Sequence, residues 1–303
     1  MQLIRDLCNV PVSAKGAVIA LGNFDGLHLG HRAILERTLQ KAKALGVPAG
    51  AMIFEPHPRE FFNPAAPKLR LQRLREKIDG LRAMGFSLLF MPRFNATFSA
   101  TSAEDFVKNY IVGALAAKHI ITGENFCFGA KRSGNCEFLG SSASRFGFGY
   151  DAIAPVKNAD GVISSTIIRT LLAERKVREA ALLLGRDFSI CGHVTHGDKR
   201  GRTLGFPTAN IPLEKYFVPR AGVYAVKVGD KKGVANIGIR PTVGGKKPQA
   251  EIHLFDFSGD LYGKYLRVEL QDFLRDEQTF ASLDALREQI TRDCEKAKKY
   301  DSK

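Results

Sequence analysis

The chain has no tryptophan, and none of its 303 residues fall in an apolar run near the roughly 18 to 20 needed to span a bilayer. These absences argue against a membrane-spanning helix and remove a favoured base-stacking side chain. The N-terminus, MQLIRDLCNVPVSAKG, does not run from a basic start into a long apolar segment, so a cytoplasmic protein is expected. Cysteine is sparse as well. Cys8, Cys127, Cys136, Cys191 and Cys294 are odd in number, scattered and free of any CxxC, which fits neither a disulfide framework nor a zinc knuckle. Reduced, structural thiols are expected. No five like charges adjoin, and no internal repeat or low-complexity tract occurs.

What is present is ordinary in amount and uneven in pattern. The 45% apolar and 25% charged fractions are those of a soluble globular chain, and the length suits two domains. The formal charge is +14, yet basic residues outnumber acidic ones by 24 to 15 in residues 1–184 and by 21 to 16 thereafter. An excess so diffuse suits small anionic ligands better than nucleic acid.

Up to about residue 175, short β-rich runs alternate with amphipathic segments. AVIALG (17–22), AGAMIFEP (49–56), SLLFMP (87–92), HIITG (119–123) and YDAIAP (150–155) read as buried strands. Residues 28–45, 69–84 and 102–117 carry helical spacing, with Gly46 and Gly85 at C-cap positions and Ser102 and Asp105 as a capping pair. This alternation predicts an α/β fold with a parallel, doubly wound sheet. After residue 185, FSICGHVTH, GVYAVKVG, KGVANIGI, AEIHLFDF and YLRVELQD predict an antiparallel barrel or sandwich. A terminal helix over 281–299 follows, with Leu283, Leu286 and Ile290 on one face. The basic segment IIRTLLAERKVREAALLLG joins the halves, and the boundary is placed at 184, giving domains 1–184 and 185–303.

The most informative stretch is GNFDGLHLGH (22–31). It follows the first strand and opens the first helix, where unpaired N–H groups attract anions. Gly22, Gly26 and Gly30 remove Cβ atoms from that turn, and His28 and His31, three apart, face one ligand. Zinc would need further ligands, and the nearest candidates, Asp25 and His57, form no known metal spacing. The histidines also read as simple helix-start residues, so from pattern alone the choice stays open.

GNFDGLHLGH resembles the HxGH signature of the nucleotidylyltransferase superfamily, and ISSTIIR (163–169) resembles that superfamily's second motif. FEPHPREFF (54–62) and TGENFCFGAKRSG (122–134) are similar to segments of the prokaryotic bifunctional riboflavin kinase/FAD synthetases. The resemblance implies a Rossmann-like adenylyltransferase domain. In it His28, His31 and Arg169 stabilise the departing pyrophosphate, and Gly22, Phe24, Asp25, Gly26, Gly30, Asn125, Ser164, Ser165 and Thr166 bind ATP. It also implies that Pro56, His57 and Pro58 shape a flavin pocket, although His57 between two prolines reads equally as a turn residue. Ser164 or Ser165 is placed to cap the ISST helix.

In the second half, GHVTHGDKRGRTLGFPTANI (192–211) supplies Gly197, Gly201 and Gly205 for a phosphate-contacting loop. Thr208 and Asn210 offer hard oxygens suited to Mg²⁺. PTAN by itself reads more readily as a hairpin turn. GVYAVKV, VANIGIRPTVGG, AEIHLFDFSGDLYGKYLRVEL and FLRDEQTFASLDALREQITRD resemble in order the riboflavin kinase domain of that same family. The resemblance implies a β-barrel with a terminal helix, and Glu251 as the base that activates riboflavin. It further implies riboflavin, FMN and ATP as small-molecule partners, with FMN and FAD as substrate and product rather than prosthetic groups. Neither nucleic acid nor membrane is expected as a partner, and the chain is expected to be a monomer or weak homo-oligomer. Departures from the family pattern are Asn125 where Asp is frequent, Ile167 where a basic residue is common, Asp187 where Pro is frequent, and Gln249–Ala250.

Overall fold

The computed structural model describes residues 1–159, 161–196, 205–242 and 245–300. Contacts divide the chain into two compact units, one of Met1–Ala66 with Leu74–Ile163, the other of Pro67–Arg73 with Ser164–Lys303.

In the first unit, β1 (Gln2–Ile4), β2 (Val18–Leu21), β3 (Ala49–Met52), β4 (Leu88–Phe90), β5 (His119–Gly123) and β6 (Gly149–Ile153) form a sheet of order β1-β4-β3-β2-β5-β6. Every pairing is parallel. Both faces are covered, as the apolar character of the strands requires. Ile19 and Leu21 enter one core with Phe106, Ile111 and Leu139, while Val18 and Ala20 enter another with Leu35, Ala42 and Leu81. The order reverses between β2 and β5, and ligands of such sheets bind at the carboxyl ends of the strands there.

The helices of this unit are α1 (Leu29–Leu45), α2 (Pro58–Phe62), α3 (Leu74–Ala83), α4 (Ala96–Ser99), α5 (Ala103–Asp105) and α6 (Cys136–Phe146). Gly46 caps α1 in the left-handed conformation, and Ser102 Oγ accepts from the Asp105 amide. Residues 106–114 continue α5 with π-helical winding rather than the α-helix their periodicity predicts. The helix expected over 69–84 begins only at Leu74, because Pro67–Arg73 packs in the second unit, where Leu71 is buried and Arg73 Nη2 donates to the Pro212 carbonyl. A small hairpin, β7 (Lys157–Asn158) and β8 (Gly161–Val162), precedes the second unit.

The second unit opens with α7 (Ser165–Ala173) and α8 (Val177–Leu184), two helices rather than one, broken where Arg175 takes a φ of 71°. Then β9 (Phe188–His193), β10 (Ala209–Pro212), β11 (Gly222–Val228), β12 (Lys231–Thr242), β13 (Gly245–Leu254) and β14 (Tyr265–Arg275) form an antiparallel sheet of order β10-β13-β12-β11-β14-β9. A Thr195–Asn210 bridge joins its edges into a near-barrel. Tyr224, Ala235, Ile237, Ala250, Ile252, Val268 and Leu270 are fully buried along alternating positions. The terminal helix, α9 (Leu283–Lys298), covers Val223, Ala225, Val234 and Phe255 with Ile290, Cys294 and Ala297. Leu283, expected on that buried face, is 69% exposed. The helix is held from its later turns, where the buried Asp293 receives the Arg275 guanidinium.

Candidate active sites

At the carboxyl end of β2 the chain turns sharply into α1. Phe24, Gly26 and Leu27 all take positive φ, at 48°, 90° and 45°. Phe24 and Leu27 carry a Cβ, so the turn is strained and must be held from outside. Gly22 is required there by packing, since a Cβ would stand 2.9 Å from the Phe24 ring. His28 is the N-cap of α1, and its Nδ1 accepts from the His31 amide at 3.3 Å. An accepting Nδ1 leaves Nε2–H as the donor of neutral His28. The two imidazoles stack with centroids 3.6 Å apart and planes at 19°, and His31 meets the Phe24 ring edge-on at 5.5 Å. At Gly30 a Cβ would lie 3.1 Å from the His28 ring, so this glycine lets the ring fold over the helix start. The structure thus brings His28 and His31 together over the amides of a helix N-terminus, beside the buried Asp25. Space at Gly22 and Gly30 is filled by the protein's own rings.

Across the switch point, Asn125 lies exposed in the turn after β5. The turn is pinned from behind: the Cys136 thiol reaches the carbonyls of Glu124 at 3.1 Å and Gly123 at 3.3 Å. Beneath it, Thr122 Oγ1 and Tyr150 Oη lie 2.8 Å apart, and burial pushes the Tyr150 phenol well above its usual range.

The FEPHP stretch contains a cis Glu55–Pro56 bond. His57 caps α2, its Nδ1 accepting from the Arg59 amide at 3.1 Å, with Pro58 in the first helical turn. Pattern reading missed the aromatic chain beside this stretch. Phe61 and Phe62 both meet Phe94, which contacts Phe54 and Phe98 in turn. Phe62 is 68% exposed at the end of the row. The signal lay in FEPHPREFF and RFNATF, in a chain with 21 phenylalanines and no tryptophan.

Ser164 caps α7 by accepting from the Ile167 amide at 3.3 Å. Ser165 is half-buried and Thr166 exposed in its first turn. Arg169 Nε donates to the Leu69 carbonyl at 2.5 Å. All of these belong to the second compact unit, whereas His28, His31, Asn125 and His57 belong to the first.

In the barrel, register places Asn210 and Asn236 directly opposite Glu251 on either side. Side chains opposed in antiparallel strands share a face, so the three form a polar row across β10, β13 and β12. Gln249 Nε2 donates to Glu251 Oε1 at 2.6 Å. Asn236 Nδ2 donates to Glu277 Oε1 at 3.2 Å, while Asn236 Oδ1 is buried and accepts no hydrogen bond. Gly238 admits Glu277, whose Oε1 would lie 2.2 Å from any Cβ there. His253, on the same face as Glu251, pairs through Nδ1 with the Pro207 carbonyl at 3.0 Å and so holds the strand entry that carries the half-buried Thr208. The oxygens of Thr208 and Asn210, with an orphaned amide oxygen in the same row, are hard donors of the type Mg²⁺ takes. Gly205 has a φ of 85°. Gly197 and Gly201 lie outside the described residues. Among the described residues no three His, Cys, Asp or Glu side chains are grouped to hold a metal.

Two family descriptions match the chain: FAD synthetase over residues 10–167 and riboflavin kinase over 184–301. The bifunctional riboflavin kinase/FMN adenylyltransferase of Escherichia coli K12 is 42% identical over 299 residues, 97% of this chain and 96% of the relative. That of Haemophilus influenzae is 42% identical over 305 residues, 99% of each chain. A solved structure described as a macrolide-efflux protein from Streptococcus pneumoniae matches with a TM-score of 0.87 and 31% identity over 99% of both chains. Among the described residues no helix is long and apolar enough to cross a membrane.

Proposed function

The chain belongs to the bifunctional riboflavin kinase/FMN adenylyltransferase family, and on that premise we propose how its own residues divide the two reactions. Riboflavin and ATP give FMN in the barrel domain, and FMN and ATP give FAD and pyrophosphate in the parallel-sheet domain. The domain boundary is assigned to residue 184.

The ribityl hydroxyl of riboflavin is a neutral alcohol and a poor nucleophile. Glu251 takes its proton as the oxygen attacks the γ-phosphorus of ATP, and ADP departs. The observation that carries this assignment is the row in which Glu251 stands between Asn210 and Asn236, on the face of the sheet opposite the buried Ala250 and Ile252. Gln249 occupies Oε1 and leaves Oε2 to accept the proton. Thr208 and Asn210 would hold Mg²⁺, which when bound neutralises phosphate charge. Gly197, Gly201 and Gly205 supply the phosphate loop.

FMN phosphate is already ionised at neutral pH, so its attack on the α-phosphorus of ATP needs no base. The protein's task is alignment and charge neutralisation as the bond to pyrophosphate breaks. His28 Nε2–H, His31 and Arg169 act as donors to the departing group, and the turn of Gly22, Phe24, Asp25, Gly26 and Gly30, together with Asn125, Ser164, Ser165 and Thr166, receives ATP. Pro56, His57 and Pro58, with the Phe62 end of the aromatic row, receive the flavin. The enzyme is assigned to the cytoplasm as a monomer or weak homo-oligomer, with no nucleic-acid or membrane partner.

Incubation of the purified chain with riboflavin, ATP and Mg²⁺, followed by separation of the flavins, tests the whole reading. FMN and then FAD are expected, and the appearance of neither would overturn it.

A further inference from the structure

Lys77 sits on α3 with only 6% of its surface exposed, a position an ammonium occupies only when it donates hydrogen bonds. Its Nζ donates to the Asn23 carbonyl at 2.6 Å. Asn23 opens the turn in which Phe24, Gly26 and Leu27 take positive φ, and that turn delivers the chain to His28. The same face of α3 grips the turn again one helical turn later. At Gly80 an added Cβ would come 2.5 Å from Leu27 Cδ1, so the glycine forms the notch that receives Leu27. One helix thus holds both ends of the strained segment, by a charge-assisted hydrogen bond at Asn23 and an apolar fit at Leu27.

We propose that Lys77 is a positioning residue for adenylyl transfer: its ammonium fixes the Asn23–Leu27 turn and through it the aim of the stacked His28 and His31. This rests on the reading of those histidines as donors to the ATP phosphates. The physical reason for an effect on rate is that such donors act only where they meet developing charge, and loosening the backbone that carries them removes that preorganisation. Sequence pattern conceals the role, because Lys77 looks like one more basic residue on an amphipathic helix.

The test uses the full chain and its two reactions. In Lys77→Met, kcat for conversion of added FMN to FAD is expected to fall by about 30-fold or more, with KM for FMN and ATP within about threefold of the parent. FMN formation from riboflavin should be unchanged, and the His28 and His31 ring signals in NMR should shift while remaining dispersed. Lys77→Arg, which keeps a charged donor, is expected to restore FAD formation to within about tenfold of the parent. FAD formation by Lys77→Met within about threefold of the parent, or unmoved histidine signals, would overturn the proposal. If Lys77→Met unfolds the first unit, Lys77→Arg decides: a folded arginine variant that has lost FAD formation overturns it. Should the parent itself make no FAD from FMN, the functional reading is what fails, and the histidine shifts alone then judge the role of Lys77.

Discussion

The parallel sheet and the barrel carry their candidate groups at opposite kinds of location. In the parallel sheet, four successive residues of β2, Val18 to Leu21, are all buried, and alternate ones feed two separate cores. No side chain in such a strand is free to meet a substrate, so the candidate groups lie beyond its end, in a strained turn and a helix start. In the barrel, β13 buries Ala250, Ile252 and Leu254 and leaves Gln249, Glu251 and His253 on the other face. There a reactive carboxylate can stand in mid-strand, aligned by register with its neighbours. The chemistry divides the same way. An alcohol nucleophile needs one well-placed base, which a strand supplies, whereas an ionised phosphate needs several directed donors, which a helix N-terminus and its cap supply.

The largest expected effect tests that division directly. Glu251→Gln should lower FMN formation by about 10²- to 10⁴-fold, the usual worth of a general base, while added FMN is still adenylylated at the parental rate. Flavin chromatography of one reaction mixture reads both steps. The mirror experiment is His31→Ala, expected to cost about 10²- to 10³-fold in FAD formation and to let FMN accumulate. If either substitution disabled both steps in a folded protein, the assignment of separate sites would be wrong.

Much of this is legible in the sequence. The period-two burial of β13, the parallel alternation and the caps at Ser102, Ser164 and Gly46 follow from local rules, and the structure places them as the residue patterns require. What local rules miss is whatever long-range packing decides. Residues 69–73 belong to a stretch of helical spacing yet stay outside α3, because Leu71 and Arg73 are used by the second unit. Lys77 and Gly80 matter only through a turn some 50 residues earlier in the chain. Leu283 fits the apolar stripe of α9, but the helix is anchored by Asp293 and buries Cys294 and Ala297 instead.

That anchor gives the next prediction, smaller than the catalytic ones. Arg275 approaches Asp293 through Nε and Nη2 at 2.8 to 3.0 Å, and Gln289 adds a hydrogen bond at 2.9 Å. Arg275→Met would strand a carboxylate that is 2% exposed, at a cost of about 3–5 kcal/mol. The midpoint for heat inactivation of FMN formation should drop, and that of FAD formation with it, since residues 164–169 belong to the same unit as Arg275 and Asp293. Adding Asp293→Leu should recover most of the loss, since an apolar pair leaves no buried charge. An unchanged midpoint for FMN formation would show that the Arg275–Asp293 pair does not anchor the helix.

The smallest effect concerns acid and belongs to the first unit. His119 at the start of β5 is packed against Gly149, where a Cβ would meet its Nδ1 at 1.9 Å, and its Nε2 lies 3.2 Å from Asp151. Burial pushes the imidazole below its ordinary value of 6.5 against the opposing pull of Asp151. Burial raises the Asp151 carboxyl, but the Arg37 hydrogen bond, with His119 and Lys41, outweighs it and holds the group below 3.8. Both groups therefore bind fewer protons folded than unfolded at the pH where each titrates. Stability linked to His119 is complete above about pH 6.5 and is lost as the pH falls through its lowered folded value; that linked to Asp151 is lost further down. His119→Gln should remove the first part, so that the difference in heat-inactivation midpoint of FAD formation between about pH 7.5 and 5.5 shrinks. FMN formation, which depends on the barrel, should keep its pH response. A His119→Gln variant as acid-sensitive as the parent would assign the sensitivity of the parallel sheet to other groups.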